Sequence, residues 1–278
     1  MATLQFASWN MNWFTRSGDS MRVKLDYLRD QSWDVVALQE VTARMHQRIV
    51  SSDIAPHVAY TPSIPDRGFG SALLARNRTQ LEQISLLAEL PKPQWGISAV
   101  VRVDGHAIRA LSWHAPNAAK ASTRGTKRAA YIAMNRWVCG RDLPLLVGTD
   151  ANHGARFTRE RDFPAEAFRP IEADDWLEEN CFWAQSEHDL ADVWLDYLER
   201  QPELLAKCRL ERPDGPSVVS YVRGSKNKPV PDRFDYVLAS PEFTATSMSY
   251  EPEAFTAGSD HAFVTATLEY EASGRRTT

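Results

Sequence analysis

Four groups of polar residues that can bind a metal ion or a phosphate stand at the edges of apolar runs in this chain. They are Asn10 after Leu4–Trp9, Glu40 after Val35–Leu38, Asp150 and Asn152 after Leu143–Val147, and Asp260 and His261 before Ala262–Leu268. Short apolar runs of this kind are typical of buried strands. In an antiparallel sheet the end of one strand and the start of its neighbour share an edge, so these side chains can meet at one rim. Oxygen ligands beside a single imidazole favour Mg²⁺ over Zn²⁺.

Each of these positions also has an ordinary structural explanation. Glu40 alone fits a solvated strand end, and Asp150 and Asn152 fit an Asx-type turn before Gly154. Asp260 fits an N-cap or a turn. As functional groups, the Asp150 carboxylate can orient or deprotonate a water, and the Asn152 amide can hold a phosphoryl oxygen. One metal and phosphate site explains all four groups, whereas the structural explanations require four independent coincidences.

A second histidine and a further carboxylate extend this set. His114 ends the strand predicted for Ala107–Trp113, although a lone histidine there also fits a hydrogen-bonded structural residue. Asp235 lies in the strand candidate Arg233–Leu238 and is a candidate to orient His261, as a carboxylate orients the base of a catalytic triad. The His261 imidazolium can stabilise charge on phosphorus, or the neutral ring can act as a general base.

Alternating strand and helix patterns must position these residues. Met21, Leu25 and Leu28 lie at helical spacing and predict an amphipathic helix over Met21–Gln31. The other predicted elements are a helix marked by Val41, Met45 and Ile49, strands at 72–75, 97–103 and 107–113, a hairpin turn at Asp104-Gly105, and helices at 126–138 and 189–205. The strand–helix–strand–helix opening predicts a sheet covered by helices.

Length and composition indicate a globular protein with a substantial core. Of the 278 residues, 43% are hydrophobic, which argues against disorder for most of the chain. We expect a single domain over residues 1–271, with an irregular segment at 154–232 and a disordered tail at 272–278. The net charge of −4 provides no global basic field, so contact with nucleic acid would depend on local patches.

Cysteine usage and hydropathy bear on the compartment. The three cysteines are an odd number without short spacing, which argues against a disulfide framework or a zinc ribbon. The chain does not start with a basic region and a signal core, and no apolar run is long enough to span a bilayer. We therefore expect a soluble cytoplasmic protein that does not act at a membrane.

Six stretches together make the chain resemble the endonuclease/exonuclease/phosphatase superfamily of metal-dependent phosphoesterases. They are Ser8–Asn12, Val36–Glu40, Ser112–His114, Asp150–Asn152, Arg233–Leu238 and Ser259–His261, and they extend over nearly the whole chain. The Gln-Glu, Asp-x-Asn and Ser-Asp-His motifs are specific as a set and weak singly. The resemblance implies an α/β fold, a four-layer α/β sandwich in which two packed mixed β-sheets are flanked by helices.

The resemblance also implies a role for each site residue. Glu40, with help from Asn10 and Asp260, would hold Mg²⁺ or Mn²⁺; Asp150 would position or activate the attacking water; Asn152 and His114 would contact the scissile phosphate; and His261, paired with Asp235, would complete the charge stabilisation. Whether His261 or Asp150 is the general base stays open at this point. The chain departs from the family at Thr149, where a glycine is usual, and at Asn12, where some relatives carry an aspartate.

The substrate is predicted from local features around this set. Basic residues would flank the site in three clusters: Arg223, Lys226, Lys228 and Arg233; Arg156, Arg159 and Arg161; and Lys120, Arg124, Lys127 and Arg128. We expect Arg223, Lys226, Arg233 and Arg128 to bind substrate. Four aromatic residues could stack on bases: Trp13, Phe14, Phe157 and Phe163.

These features favour a nuclease that acts on DNA or RNA. The same residues also fit solvated faces and core aromatics. The alternative function is a phosphatase or phosphodiesterase for a small or lipid phosphate, which the negative net charge favours slightly. A lipid substrate is disfavoured because no amphipathic membrane-binding helix is evident.

Overall fold

The computed structural model describes residues 2–14, 18–61, 68–77, 79–117, 121–153, 188–213, 215–225 and 228–271. Its strands are β1 (Ala2–Asn10), β2 (Val35–Val41), β3 (His57–Tyr60), β4 (Gly70–Ala75), β5 (Gln80–Leu86), β6 (Gly96–Val103), β7 (His106–His114), β8 (Leu145–Asp150), β9 (Ala191–Asp192), β10 (Tyr221–Ser225), β11 (Lys228–Asp232), β12 (Asp235–Ala239), β13 (Phe243–Glu251) and β14 (Phe263–Tyr270). Its α-helices are α1 (Gly18–Asp30), α2 (Ala43–Val50), α3 (Ala121–Cys139), α4 (Val193–Glu199), α5 (Pro202–Glu211) and α6 (Glu253–Thr256), and Pro93–Trp95 forms a 3₁₀ turn.

Twelve of these strands form two mixed sheets. Sheet A has the order β13-β14-β1-β2-β4-β3, and sheet B has the order β5-β6-β7-β8-β12-β9. Each sheet contains one parallel pair, β1 with β2 and β7 with β8, and its other pairs are antiparallel. Strands β10 and β11 form a separate hairpin that reaches the sheets through an isolated bridge between Tyr221 and His261.

The apolar pattern of the strands places one core between the sheets and one outside each sheet. Along β2, Val35 and Ala37 face the core between the sheets, whereas Val36 and Leu38 face the core shared with α1 and α2. In sheet B, Val147 of β8 faces the core shared with α3. The order helix, sheet, sheet, helix confirms the predicted four-layer α/β sandwich.

Two predictions about local structure have clear outcomes. Asp104 and Gly105 form the expected hairpin turn, with positive φ values of 48° and 83° as a type I′ turn requires. The single helix predicted over Asp189–Leu205 is wrong. Asp192 instead ends β9 and caps α4 by accepting a hydrogen bond from the Trp194 amide, and Pro202 starts α5 as a separate helix.

The sequence pattern also missed strands β3, β5, β10, β11 and β13. Strand β5 is an exposed edge strand, so it lacks the continuous apolar run of a buried strand. The described parts of the segment predicted to be irregular, residues 188–213, 215–225 and 228–232, contain helices and strands. Residues 154–187 and the predicted tail at 272–278 lie outside the described residues. No helix in the described part of the chain is long and apolar enough to cross a membrane.

The two sheets approach each other closely at Gly148 of β8. A Cβ atom at this position would stand 2.5 Å from Ala37 Cβ and 2.9 Å from Ser8 Cβ. Beside this contact, the buried Gln39 amide donates at 3.2 Å to both the Gly148 carbonyl and the Ser112 hydroxyl of sheet B. The sheets are therefore held together by backbone proximity and by a buried hydrogen-bond network directly behind the edge that carries Glu40 and Asp150.

We expect Gly148→Ala to destabilise the protein by about 1–3 kcal/mol because the added methyl group must push the sheets apart. The matched control is Gly125→Ala, since nothing lies within 4 Å of a Cβ at that helical position. That substitution should stabilise the protein by about 0.5–1 kcal/mol. Urea unfolding measures both changes. Equal effects of the two substitutions would contradict the close contact at Gly148.

Candidate active site

Strand register brings six of the candidate residues to one shared edge of the two sheets. In sheet A, Asn10 pairs with Gln39 at the carboxyl ends of the parallel strands β1 and β2, so Glu40 follows at the same edge. In sheet B, His114 pairs with Asp150 at the ends of the parallel strands β7 and β8.

Antiparallel neighbours complete the edge. Asp235 starts β12 directly opposite Asp150, and His261 lies just before β14, which runs antiparallel to β1. The rim therefore depends on two parallel pairs as well as on the antiparallel neighbours that the sequence argument assumed.

Asp150 is the meeting point of groups from both sheets. Its Oδ2 accepts a hydrogen bond of 2.8 Å from the Asn10 amide of sheet A, and its Oδ1 accepts one of 2.8 Å from the Asn152 backbone. His114 Nε2 lies 3.4 Å and His261 Nε2 3.8 Å from the same Oδ2. The carboxylate is almost completely buried. It is therefore held rigidly, with two imidazoles directed toward one of its oxygens.

Asn152 combines the two interpretations of its motif. Its backbone forms the Asx-type turn on Asp150, and its φ of 49° is left-handed, which asparagine tolerates better than most residues. Its side-chain nitrogen donates to the Ala115 carbonyl at 2.8 Å and lies 3.2 Å from His114 Nε2. The turn thus carries the amide to the site. Thr149, the departure from the family pattern, continues β8 in register without disturbing this turn.

Glu40 lies at the site with a constrained backbone. Its φ of 56° is in the left-handed region, which is uncommon for a residue other than glycine and is found at functional sites. Its Oε2 accepts a hydrogen bond of 3.0 Å from the Trp13 backbone, and its Oε1 lies 3.3 Å from His114 Nε2. Burial alone would raise the pKa of Glu40, but the hydrogen bond and charge of His114 outweigh it and lower the pKa. The carboxylate is therefore ionised and available as a ligand.

His261 and Asp235 form an ordered pair between the sheets. The distance from His261 Nδ1 to Asp235 Oδ2 is 2.8 Å, which places the predicted partners together. Ser220, a residue that sequence reasoning missed, donates its hydroxyl proton to the same Oδ2 at 2.6 Å and accepts the Asp235 amide at 3.0 Å. With Nδ1 engaged in this way, Nε2 faces Asp150. Ser220 lies in the segment without a clear pattern, so no sequence signal identified it.

Burial and mutual charge control protonation in this cluster. Burial alone lowers the pKa of His261, but the charges of Asp235 and Asp150 outweigh it and raise the pKa to about 10. Burial raises the pKa of Asp150, yet His261 and His114 reverse the effect and hold it at about 2. Burial raises the pKa of Asp235 to about 6, with His261 opposing the rise. At neutral pH, an imidazolium therefore lies between two carboxylates.

Two clusters of possible metal ligands occur among the described residues. Glu40, His114 and Asp150 form one, and Asp150, Asp235 and His261 form the other, each with ligand atoms within 4.8 Å of one another. The first contains two carboxylates and one imidazole, a donor set that fits Mg²⁺ or Mn²⁺. In the second cluster, Asp235 and His261 are hydrogen-bonded to each other, so fewer of its ligand atoms are available to a metal ion.

The other two predicted metal ligands lie beside the first cluster without belonging to it. The Asn10 amide oxygen accepts the Asn12 backbone at 2.9 Å, so it faces the loop that follows β1. The Asp260 side chain is 51% exposed, and its Oδ1 lies 3.9 Å from His261 Nε2. Burial raises the pKa of Asp260, opposed by the charge of His261. Both residues lie at the same edge as Glu40, Asn10 buried at the end of β1 and Asp260 in the exposed loop before β14.

The structure places the four predicted substrate-binding residues differently. Arg233 is completely buried and forms an ion pair with Asp192, so direct contact with substrate does not fit its position. Arg128 is exposed on α3. Its neighbour Lys127, a member of the same predicted basic cluster, donates to the Asn152 carbonyl at 3.1 Å. The Arg223 side chain and Lys226 lie outside the described part of the structure, as do Lys120, Arg156, Arg159, Arg161, Phe157 and Phe163.

Aromatic rings contact each of the two imidazoles. Phe69 and Trp95 stack on each other at a centroid distance of 5.6 Å. Each forms a T-shaped contact with the His114 ring, at centroid distances of 5.1 Å for Phe69 and 5.3 Å for Trp95. Tyr221 lies 4.7 Å from the ring of His261 and stacks on Phe234 at 4.9 Å. Sequence reasoning missed these rings. The two glycines that flank Phe69 were the one available signal of a ring presented by a loop.

Trp13 and Phe14, two of the aromatic residues predicted to stack on bases, extend the group formed by Phe69 and Trp95. The Trp13 ring lies 5.8 Å from Phe69 and 4.1 Å from Phe14, and Phe14 is 59% exposed. An apolar surface therefore extends from His114 to solvent.

Comparison with known protein families shows which family the chain belongs to. The profile of the Endonuclease/Exonuclease/phosphatase family matches residues 7–261, which include every residue of the site. The chain belongs to this family. Its members are hydrolases of phosphoric esters that depend on metal ions, and the Glu40 cluster is an acidic and histidine group that could hold such an ion. A comparison with curated proteins finds no match.

Solved structures of endonuclease/exonuclease/phosphatase proteins share the fold. D. rerio TDP2 in complex with a single-stranded DNA product is 16% identical, with a TM-score of 0.68 over 97% of this chain and 100% of that chain. The human Nocturnin catalytic domain with bound sulfate is 16% identical, with a TM-score of 0.63 over 97% of this chain and 94% of that chain. A protein from Bacteroides vulgatus is also 16% identical, with a TM-score of 0.62 over 98% of this chain and 100% of that chain.

The charge on His261 predicts a pH-dependent stability in the absence of metal. A histidine whose pKa is higher in the folded than in the unfolded protein stabilises the folded state. This stabilisation is complete below the pKa of the unfolded state, about 6.5, and is lost as the pH rises through the pKa of the folded state. His261→Gln should therefore cost roughly 3–5 kcal/mol near pH 7. The difference in melting temperature between this variant and the wild type should narrow steadily as the pH rises toward 10, because the pKa of His261 in the folded protein is about 10.

Thermal denaturation in EDTA from pH 7 to 10 measures this difference. His46→Gln is the matched control, because burial lowers the pKa of His46 and its contribution does not change above pH 7. A difference that stays constant over this range for His261→Gln would contradict a charged His261.

Proposed function

We propose that this protein is a metal-dependent phosphodiesterase that cleaves nucleic acid. The observation that carries the proposal is the convergence of Asn10, His114 and His261 on a single oxygen of Asp150, between two sheets. A carboxylate held in this way can orient a water, and the two imidazoles beside it can neutralise a phosphoryl group. Simple structural roles do not require all of these groups to point to one place.

The charges suggest how the groups divide the reaction. Asp150, with its pKa at about 2, is ionised and accepts a hydrogen bond from the attacking water. The water oxygen forms the new bond to phosphorus as the bond to the leaving oxygen breaks; the proton that the water loses passes to the Asp150 carboxylate, and the leaving oxygen takes a proton from solvent. His261, with its pKa at about 10, is already protonated, so it serves as a donor that stabilises the developing charge rather than as the base. Asn152 and His114 contact the non-bridging oxygens.

Glu40 is the proposed principal ligand for Mg²⁺ or Mn²⁺, with Asn10 and Asp260 at the same rim. The cation would supply positive charge to the phosphoryl oxygens and the leaving group. Glu40 fits this role because it is ionised, little exposed and fixed through one oxygen, so the other oxygen is directed to the site. Few protein ligands suffice, because Mg²⁺ keeps several of its waters.

Aromatic rings support nucleic acid as the substrate and favour unpaired bases. Phe69 and Trp95 lie against His114, and Tyr221, which stacks on Phe234, lies against His261, so a ring surface is present next to each of the two imidazoles. Bases can stack on such rings only when they are not paired in a duplex. The Lys92 amine lies 4.3 Å over the Trp95 ring and adds positive charge there. D. rerio TDP2, which shares the fold, binds a single-stranded DNA product.

A substrate panel tests the proposal. We expect Mg²⁺- or Mn²⁺-dependent cleavage of single-stranded DNA or RNA, with slower cleavage of a duplex of the same sequence and loss of activity in EDTA. Asp150→Asn and His261→Gln should each lower kcat by about 10²–10⁴-fold, since each removes a group that acts on the reacting atoms. Lys207→Gln, at an exposed position of α5, is the control that should leave the rate unchanged.

The other outcomes of the panel each have a definite meaning. Cleavage that continues in EDTA, or full activity of Asp150→Asn, would refute the mechanism. Hydrolysis of phosphate monoesters alone, with nucleic acids intact, would replace the nuclease by the alternative phosphatase. Equal rates of cleavage of single strands and duplexes would contradict the proposed stacking of unpaired bases on these rings.

A further inference from the structure

Helix α1 contains a completely buried lysine beside the active site. Lys24 has no exposed surface, although lysine is almost never fully buried unless its charge is paired or hydrogen-bonded. Its amine donates to the backbone carbonyls of Met11 and Asn12, in the loop that follows β1. A buried ammonium is costly, so this placement calls for a reason beyond filling the core.

The peptide that joins Asn12 to Trp13 connects this amine to Glu40. Its carbonyl accepts the Lys24 amine at 2.9 Å, and its N–H donates to Glu40 Oε2 at 3.0 Å. The carbonyl and N–H of a trans peptide lie in one plane and point in opposite directions, so the lysine and the glutamate lie at opposite edges of the same peptide unit. Hydrogen bonds in such a chain polarise one another, which strengthens the N–H as a donor.

The peptide is held in an unusual orientation. Asn12 has a φ of 52°, in the left-handed region, and its side-chain oxygen accepts the Phe14 amide at 3.0 Å. Asparagine is one of the few residue types that adopt this conformation, because its side chain can hydrogen-bond locally. The ammonium of Lys24 adds a second constraint by binding two successive carbonyls of the same turn.

Lys24 also contacts the second loop of the site. Gly258 has a φ of 97°, and a Cβ atom there would stand 3.5 Å from Lys24 Cε and 3.1 Å from Ser20 Oγ. The Asp260 carboxylate follows two residues later. The lysine therefore packs beneath both loops that provide predicted metal ligands, the loop after β1 and the loop before β14.

We propose that Lys24 is a positioning residue for Glu40 and acts through the peptide between Asn12 and Trp13. By fixing that peptide, it holds Glu40 Oε2 and leaves Oε1, 3.3 Å from His114 Nε2, directed to the cation. The inference rests on the proposed metal-dependent function. Partners that orient a metal ligand without touching the metal affect affinity by about 10–100-fold when they are removed.

Direct metal binding by the purified protein without substrate tests this role. In titrations with Mn²⁺ alone, followed by the electron paramagnetic resonance signal of the free ion, Lys24→Met should weaken binding about tenfold or more. Lys24→Gln, which keeps a neutral donor for one carbonyl, should lie between Lys24→Met and the wild type. Lys24→Gln also provides the measurement if Lys24→Met does not fold.

Two control variants separate positioning from charge and from stability. Arg22→Met removes one positive charge from an exposed position of the same helix and should leave Mn²⁺ affinity unchanged. Arg76→Met removes a cation that donates to the Trp33 carbonyl at 2.7 Å, beside the start of β2 at the opposite edge of sheet A. It should lower the melting temperature without changing Mn²⁺ affinity.

The outcomes distinguish this inference from the function on which it rests. Wild-type affinity in the folded Lys24 variants would overturn the positioning role alone. Tighter binding would also overturn it, because the lysine would then act only as a repulsive charge. A wild-type protein that binds no Mn²⁺ would overturn the proposed function and the inference together.

Discussion

The active site depends on the fixed distance between the two sheets. Asn10 ends a strand of sheet A and His261 lies just before β14 of the same sheet, whereas their partners Asp150 and Asp235 belong to sheet B, with 2.8 Å between the bonded atoms in both pairs. Hydrogen bonds of this length tolerate little displacement. Gly148 keeps the sheets close because it has no side chain at the crossing point. The packing of the sandwich and the geometry of the site are therefore set by the same contact.

The same edge concentrates charged side chains that are buried from solvent. Two imidazoles that burial would keep neutral become protonated because ionised carboxylates surround them. Burying these groups is costly, and each pair offsets the cost only while both partners stay in place. The positive φ values of Glu40 and Asn152 add local strain at the same edge. These costs are typical of a region arranged to bind charged atoms.

The sequence predicted the residues at strand ends far better than the residues that support them. Apolar runs identified the strands that carry Asn10, Glu40, Asp150 and His261, because buried strands leave a periodic pattern and polar side chains interrupt it. Ser220 and Lys24 follow no such pattern, since each acts through a contact with residues distant in the chain. The ion pair of Arg233 with Asp192, 41 residues away in the chain, likewise left no sequence pattern, so Arg233 was expected to bind substrate although it is buried.

The most direct test of the account is the position of a bound metal ion. Among the residues that the structure describes, two candidate clusters share Asp150, one with Glu40 and one with Asp235. In crystals soaked with Mn²⁺, anomalous diffraction should show the ion in contact with Glu40, on the side that faces Asp260. An ion bound between Asp235 and His261, with none in contact with Glu40, would contradict the account.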